Sequence, residues 1–302
     1  MMEGKFNFFI KAGFIPFIKG WVNEQSQKVI LLRKMATAML LMVFVLSLPA
    51  LVSGQVVWKE DFDGFDRDWV CCKADCAREP GVPPGYSEFH SNTLCKNYGE
   101  CNSQITSKAE RSNSGAENKR GFRIYLKQHC FPTGENVLKK DLGENLTAFY
   151  LRWFERDSVN RFSHFQKLFR MKQEAGQILI FEWQVNRRSV QMNLWDAASG
   201  SNHFFPDYAL DWDYKPGTWV CYEVKIDLAK KEAEFWVNGK SKGKMKNLPW
   251  RDGWYVRNIE VGGNQYGHSW KAPVEEYRDY DDIVVSKSYI GPGDISVPKS
   301  DK

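Results

Sequence analysis

Residues Ile178 to Trp195, ILIFEWQVNRRSVQMNLW, make two alternating runs on either side of a polar Asn-Arg-Arg corner. Period-two alternation over runs of this length predicts a β-hairpin. Side chains alternate across a strand, so Leu179, Phe181, Trp183 and Val185 would share one face with Val190, Met192 and Leu194. Ile180, Glu182, Gln184 and Asn186 would share the other with Gln191, Asn193 and Trp195. The first face must be buried against further strands. The second is a surface of amides, a carboxylate and an indole, groups that hydrogen-bond and stack on sugars, and it is the expected working surface.

The rest of the chain supplies the strands this hairpin needs. An opening strand, VVWKEDFDGFDRDW, carries an acidic cluster of Glu60, Asp61 and Asp63. Strands are then expected over Gln104 to Ala109, Gly121 to Lys127, Thr147 to Glu155 and Phe162 to Met171. In the last of these, parity puts Phe165, Phe169 and Met171 on the core side, and His164, Gln166 and Arg170 opposite. Trp219 to Asp227 is another strand, and Asn238-Gly239 is the two-residue turn of a tight hairpin. Val256 to Gly263 and Asp281 to Ser286 complete the set. About a dozen short strands without interleaved helices argue for one all-β domain, an antiparallel β-sandwich. Its larger sheet would curve, leaving a concave outer face for a chain-like ligand.

Before that domain, residues 1–54 read as a leader. Arg33 and Lys34 precede an apolar core over 36–52, and small residues follow it, the shape of a secretory signal cut after Gly54. The alternatives are a start at Met35 and an uncleaved N-terminal anchor at the cell surface. Either arrangement puts the remainder, residues 55–290 with a tail over 291–302, outside the cell. All seven cysteines lie there, at positions 71, 72, 76, 95, 101, 130 and 221, so disulfides are expected within a loop-rich insertion over 71–101. The odd count leaves one thiol free or paired between chains. The spacings match no Cys-x-x-Cys zinc site. Asn145-Leu146-Thr147 is the one glycosylation sequon.

A formal charge of +5 over 302 residues, with both signs interleaved, offers no nucleic-acid footprint. No His-Glu-x-x-His, P-loop, dinucleotide or Gly-x-Ser-x-Gly motif occurs. Twelve Trp, twelve Tyr and twenty Phe suit strands and stacking surfaces.

Four stretches, YDDIVVSKSYIGP at the C-terminal end, EFWVNGK, WVCYEVKID and FQKLFRM, together resemble the concanavalin-like jelly rolls of secreted polysaccharide lyases of the heparin, glucuronan and alginate lyase type. The resemblance covers most of the chain from about Gln104 to Pro292. It implies β-elimination at a uronic acid: the carboxylate is neutralised, a base takes the C5 proton, and an acid assists the leaving oxygen. Alginate lyases of this fold carry a Gln-Ile/Val-His strand motif, and the nearest match is Gln184-Val185-Asn186, where Asn186 donates a hydrogen bond but cannot act as a base.

On that resemblance Gln184 and Asn193, with Asn186 nearby, would bind the carboxylate, and Arg170 would clamp it. His164, Tyr266 or His268 would transfer protons, while Glu182, Gln191 and Trp195 would add contacts to the substrate. Glycoside hydrolysis would need two carboxylates facing the bond, and no Glu-x-Asp-x-x-Glu pattern provides them. No cofactor is required. A structural calcium ion is expected where first and last strands meet, held by Glu60, Asp61, Asp281 and Asp282. The expected partner is an anionic polysaccharide, and the protein a monomer. A non-catalytic carbohydrate-binding or adhesion module, and a structural matrix protein, remain the alternatives, because one sandwich carries many functions.

Overall fold

The computed structural model describes residues 55–71, 81–90, 103–111, 119–126, 135–159, 165–173, 177–183, 190–196, 201–204, 215–266 and 276–293. These residues are all-β, apart from a 3-10 turn at Ser107–Ala109. No helix among them is long and apolar enough to cross a membrane.

The strands fall into two antiparallel sheets. One has nine strands: β1 (Val56–Glu60), β2 (Trp69–Cys71), β4 (Ser103–Thr106), β5 (Gly121–Leu126), β7 (Ala148–Asp157), β12 (Trp219–Asp227), β13 (Glu232–Val237), β14 (Lys240–Met245) and β16 (Glu276–Ser286). Their order is β14-β13-β12-β7-β16-β5-β4-β2, and β1 pairs with β16. The other has seven: β3 (Glu88–His90), β6 (Glu135–Leu146), β8 (Phe165–Lys172), β9 (Gln177–Trp183), β10 (Val190–Asp196), β11 (Ser201–Phe204) and β15 (Val256–Tyr266). Here the order is β11-β10-β9-β8-β15-β6-β3.

Aromatic side chains join the two sheets face to face. Trp153 on β7 meets Phe169 on β8 with ring centres 4.7 Å apart, and Phe169 packs edge-on against Tyr280 of β16 at 5.7 Å. Phe89 on β3 contacts Phe122 on β5. All five rings are buried, and each contributes about 1.5–3 kcal/mol by leaving water. Phe149, Leu151 and Trp153 alternate along β7 and are all buried, which marks its core face.

The hairpin of β9 and β10 pairs as its pattern predicts, with Val190 opposite Trp183 and Leu194 opposite Leu179. The Asn238-Gly239 hairpin also forms, with both residues at positive φ, 49° and 73°. Several features depart from the expectation. β6 is a twelve-residue strand where none was expected. β16 begins at Glu276 rather than Asp281, and β15 runs on to Tyr266. In β8 the register against β9 shifts between Lys167 and Phe169, so that Leu168 and Phe169 are both fully buried. A bulge of this kind inserts one residue and exchanges the faces on either side of it. Lys167, not Gln166, therefore stands opposite Glu182, in line with the face that carries Arg170.

Gly291, the first residue of the expected tail, is buried, and it is fixed by Glu223 and Arg152. Of the cysteines, 72, 76, 95, 101 and 130 lie outside the described residues. Cys221 is a buried free thiol, and burial pushes its pKa up to about 12, which leaves it unreactive at neutral pH.

Candidate functional site

Cross-strand pairing aligns the outer face of the seven-stranded sheet into rows. One row runs Glu88, Lys139, Glu260, Arg170, Ile180, Asn193 and Phe204 across β3, β6, β15, β8, β9, β10 and β11. A second runs Asp141, Asn258, Lys172, Ile178, Trp195 and Asn202. On the other side of the first, Lys167, Glu182 and Gln191 are aligned. Tyr266 stands opposite Phe165, two positions from Lys167, so its register belongs to the same face.

The charges in these rows hold one another. Arg170 is 8% exposed, and its Nε lies 2.5 Å from Glu260 Oε2, a carboxylate only 1% exposed. Lys172 pairs with the other oxygen of Glu260. Glu260 is therefore an anion shared by Arg170 and Lys172. Asn193, at 4% exposure, is buried one strand beyond Ile180, and Trp195 is half-buried. Lys139 pairs with Glu88 at the far end of the row. Gly263, at φ 153°, lets Lys167 come close: a Cβ there would lie 2.7 Å from Lys167 Cβ.

Of the expected site residues, Arg170, Asn193 and Trp195 thus lie in neighbouring rows of one face, and the register positions of Glu182, Gln191 and Tyr266 extend it. Gln184, Asn186, His164 and His268 lie outside the described residues. Glu260, Lys172 and Lys167 were not singled out from the sequence. Glu260 sits in a glycine-bearing strand, and only its partner strand shows that it faces Arg170.

The carboxylates expected to hold calcium each meet a protein donor. β1 does adjoin β16, with Glu60 opposite Ile283. Glu60 accepts from the Phe62 amide and the Tyr86 hydroxyl, both at 2.8 Å, and burial pushes its pKa up. Asp61 takes Lys59 at 2.8 Å. Asp281 accepts from the Arg111 and Asp282 amides, and burial holds its carboxyl well above the usual range. Asp282 pairs with Arg111 at 2.6 Å. Among the described residues no three such side chains form a metal-holding group.

A second charged cluster is internal. Arg278 Nε lies 2.7 Å from Asp157 and 3.1 Å from Glu155, and the Trp153 indole donates to Glu155 at 3.0 Å. All four residues are buried between the sheets, so this cluster braces the core and does not face a ligand. A third cluster lies on the outer face of the nine-stranded sheet. There Asp279 receives a two-point contact from Arg123 and two further bonds from Arg156, over Tyr277 and Trp219.

No family model and no curated protein matches the sequence. Among solved structures, the chain is similar to the endo-β-1,4-glucuronan lyase of the fungus Trichoderma reesei, with a TM-score of 0.52 and 11% identity over 76% of this chain and 95% of that one. An alginate lyase solved with an alginate tetrasaccharide aligns at a TM-score of 0.47 and 14% identity, over 77% of this chain and 97% of that one. The alginate lyase of a Chlorella virus aligns at 0.44 and 15% identity, over 62% of this chain and 89% of that one. At 11% identity the likeness to the glucuronan lyase is one of fold.

Proposed function

We propose that the protein is exported and cleaves an acidic, uronic acid-containing polysaccharide by β-elimination. The observation that carries this is the buried Arg170, paired with Glu260 and standing in one cross-strand row with Asn193. A fixed cation beside an amide can neutralise a uronate carboxylate, which lowers the barrier to removing the adjacent C5 proton. Gln184 and Asn186 would join Asn193 on the carboxylate, and Lys172 would offset the charge that Glu260 contributes. Glu182, Gln191 and Trp195 would hold neighbouring sugars.

The proton-transfer groups are drawn from Tyr266, His164 and His268. The base takes the C5 proton, and the electron pair left behind forms the C4–C5 double bond. The bond from C4 to the glycosidic oxygen breaks, and an acid returns a proton to that oxygen. No water is consumed. Export under the 36–52 segment and disulfides within 71–101 belong to the same proposal.

The low exposure of Arg170 and Asn193 favours a second reading, a carbohydrate-binding module of the same fold without catalysis. One assay separates the two. Ultraviolet absorbance of the unsaturated product is followed on a panel of uronic acid polymers, beside affinity electrophoresis on the same polymers. Elimination on at least one polymer is the expected result. Retardation without any absorbance change would replace the lyase with the binding module.

A further inference from the structure

The outer face of the nine-stranded sheet, on the far side of the sandwich from Arg170, carries three clustered aromatic rings. Trp236 on β13 lies 5.5 Å from Tyr289 and 6.3 Å from Tyr150 on β7, and Tyr150 lies 6.0 Å from Tyr289. None belongs to the core. Tyr150 and Trp236 are half-buried, and Tyr289 is 48% exposed. Lys225 stands opposite Tyr150 on β12, with its Nζ 5.8 Å from the ring centre.

The platform is held in advance. Tyr289 lies beyond β16, and the next two residues are tied down: the Ile290 and Gly291 amides donate to the two oxygens of Glu223 at 2.9 and 3.0 Å. Arg152 donates to the Gly291 carbonyl at 3.2 Å, and Pro292 lies against Gly239 in the β13–β14 turn. A ring fixed before binding loses little entropy on binding.

The surrounding charge is cationic. Beside Lys225, the edge strand β14 and the residue after it present Lys240, Lys242, Lys244 and Lys246, all exposed. Across from them are Glu232, paired with Lys244 at 2.8 Å, and Glu234, which accepts from Ser241. Lysines on an edge strand also prevent sheet-to-sheet pairing. That role does not require three partly exposed rings beside them. Aromatic faces take the apolar face of a pyranose, and lysines take its carboxylate.

We propose that Tyr150, Trp236, Tyr289 and Lys225 form a second, non-catalytic binding site for an acidic polysaccharide. The site rests on the polysaccharide reading given above and adds to it. A chain held here stays near the enzyme between cleavage events, and the tie between two sites on one chain raises effective concentration without new contacts.

The test uses the whole exported chain and two ligands, a long uronic acid polymer and a short oligosaccharide of the same sugar. Affinity for the polymer is measured by affinity electrophoresis and calorimetry, and elimination is measured on the short oligosaccharide. Trp236→Ala and Lys225→Ala should each weaken polymer binding about tenfold, a loss on the order of 1.4 kcal/mol, with elimination from the oligosaccharide unchanged. Arg170→Ala should keep polymer binding while losing elimination. Tyr289→Ala, at the most exposed ring, provides the same reading should Trp236→Ala lower the melting temperature. Polymer binding at wild-type strength in both Trp236→Ala and Tyr289→Ala would overturn the second site and leave the lyase standing. Absence of any polymer binding by the wild type would remove both.

Discussion

Asp157 and Glu155 face a single guanidinium, that of Arg278, inside the sandwich, with Tyr280 beside them. Burial pushes the Asp157 carboxyl well above the usual carboxylate range, and its neighbour Glu155 adds to the shift while Arg278 opposes it. The native state then keeps a proton that the unfolded chain releases. Stability tied to this group is greatest below the unfolded value and falls as pH rises towards the folded one. Asp157→Asn removes that titration. Melting temperatures followed from about pH 4 to neutral pH should show the wild type losing ground to the variant as pH rises. Parallel curves would mean that Asp157 is ionised throughout. Side-chain types at this scale were readable from the sequence, but partnership was not. Arg170 was visible as a cation on a polar face. Glu260, its ion-pair partner, stands ninety residues on, with register alone bringing the two together.

Strands were legible where alternation was clean. β12 has the predicted limits, and the hairpin of β9 and β10 has the predicted pairing. β6 was illegible because its sequence, ENVLKKDLGENL, breaks alternation in the middle. There Gly143 takes φ 76° and donates to Asp141, and the register against β15 shifts, while Val137, Leu138, Leu142 and Leu146 are nonetheless buried. The bulge in β8 had the same effect on faces, since parity counted across it gives Gln166 the place that Lys167 takes. Turn chemistry was the most secure element signal, and it supports a prediction. Gly239→Ala meets two costs, a positive φ of 73° and a Cβ placed 2.8 Å from Pro292 Cγ. It should destabilise the domain by about 1 kcal/mol or more, measured by urea unfolding. An unchanged midpoint would show that the turn and the 290–292 segment move apart freely.

For the whole molecule, the all-β sandwich followed from many short strands without helices, and its layers are joined by large rings that strand patterns place on inner faces. Asn193 of the central hairpin does share a cross-strand row with Arg170, as parity predicted, but the hairpin belongs to the smaller, seven-stranded sheet and not to the larger one expected to curve round a ligand. What alternation could not convey is that this face is closely packed, with Arg170, Asn193 and Glu260 all buried. The aromatic platform was hidden for another reason. Tyr150, Trp236 and Tyr289 come from three separate strands and segments, and none stands out in its own window. The central claim is that the buried Arg170 neutralises a uronate so that elimination proceeds beside it. The measurement that bears on it most directly is the elimination rate of Arg170→Ala on a uronic acid polymer, set against wild type at equal folded fraction. Lys172 remains to balance Glu260, so the variant should fold. Its rate should fall by a factor on the order of 10² to 10³. Elimination at the wild-type rate would contradict the claim and move the chemistry away from this face.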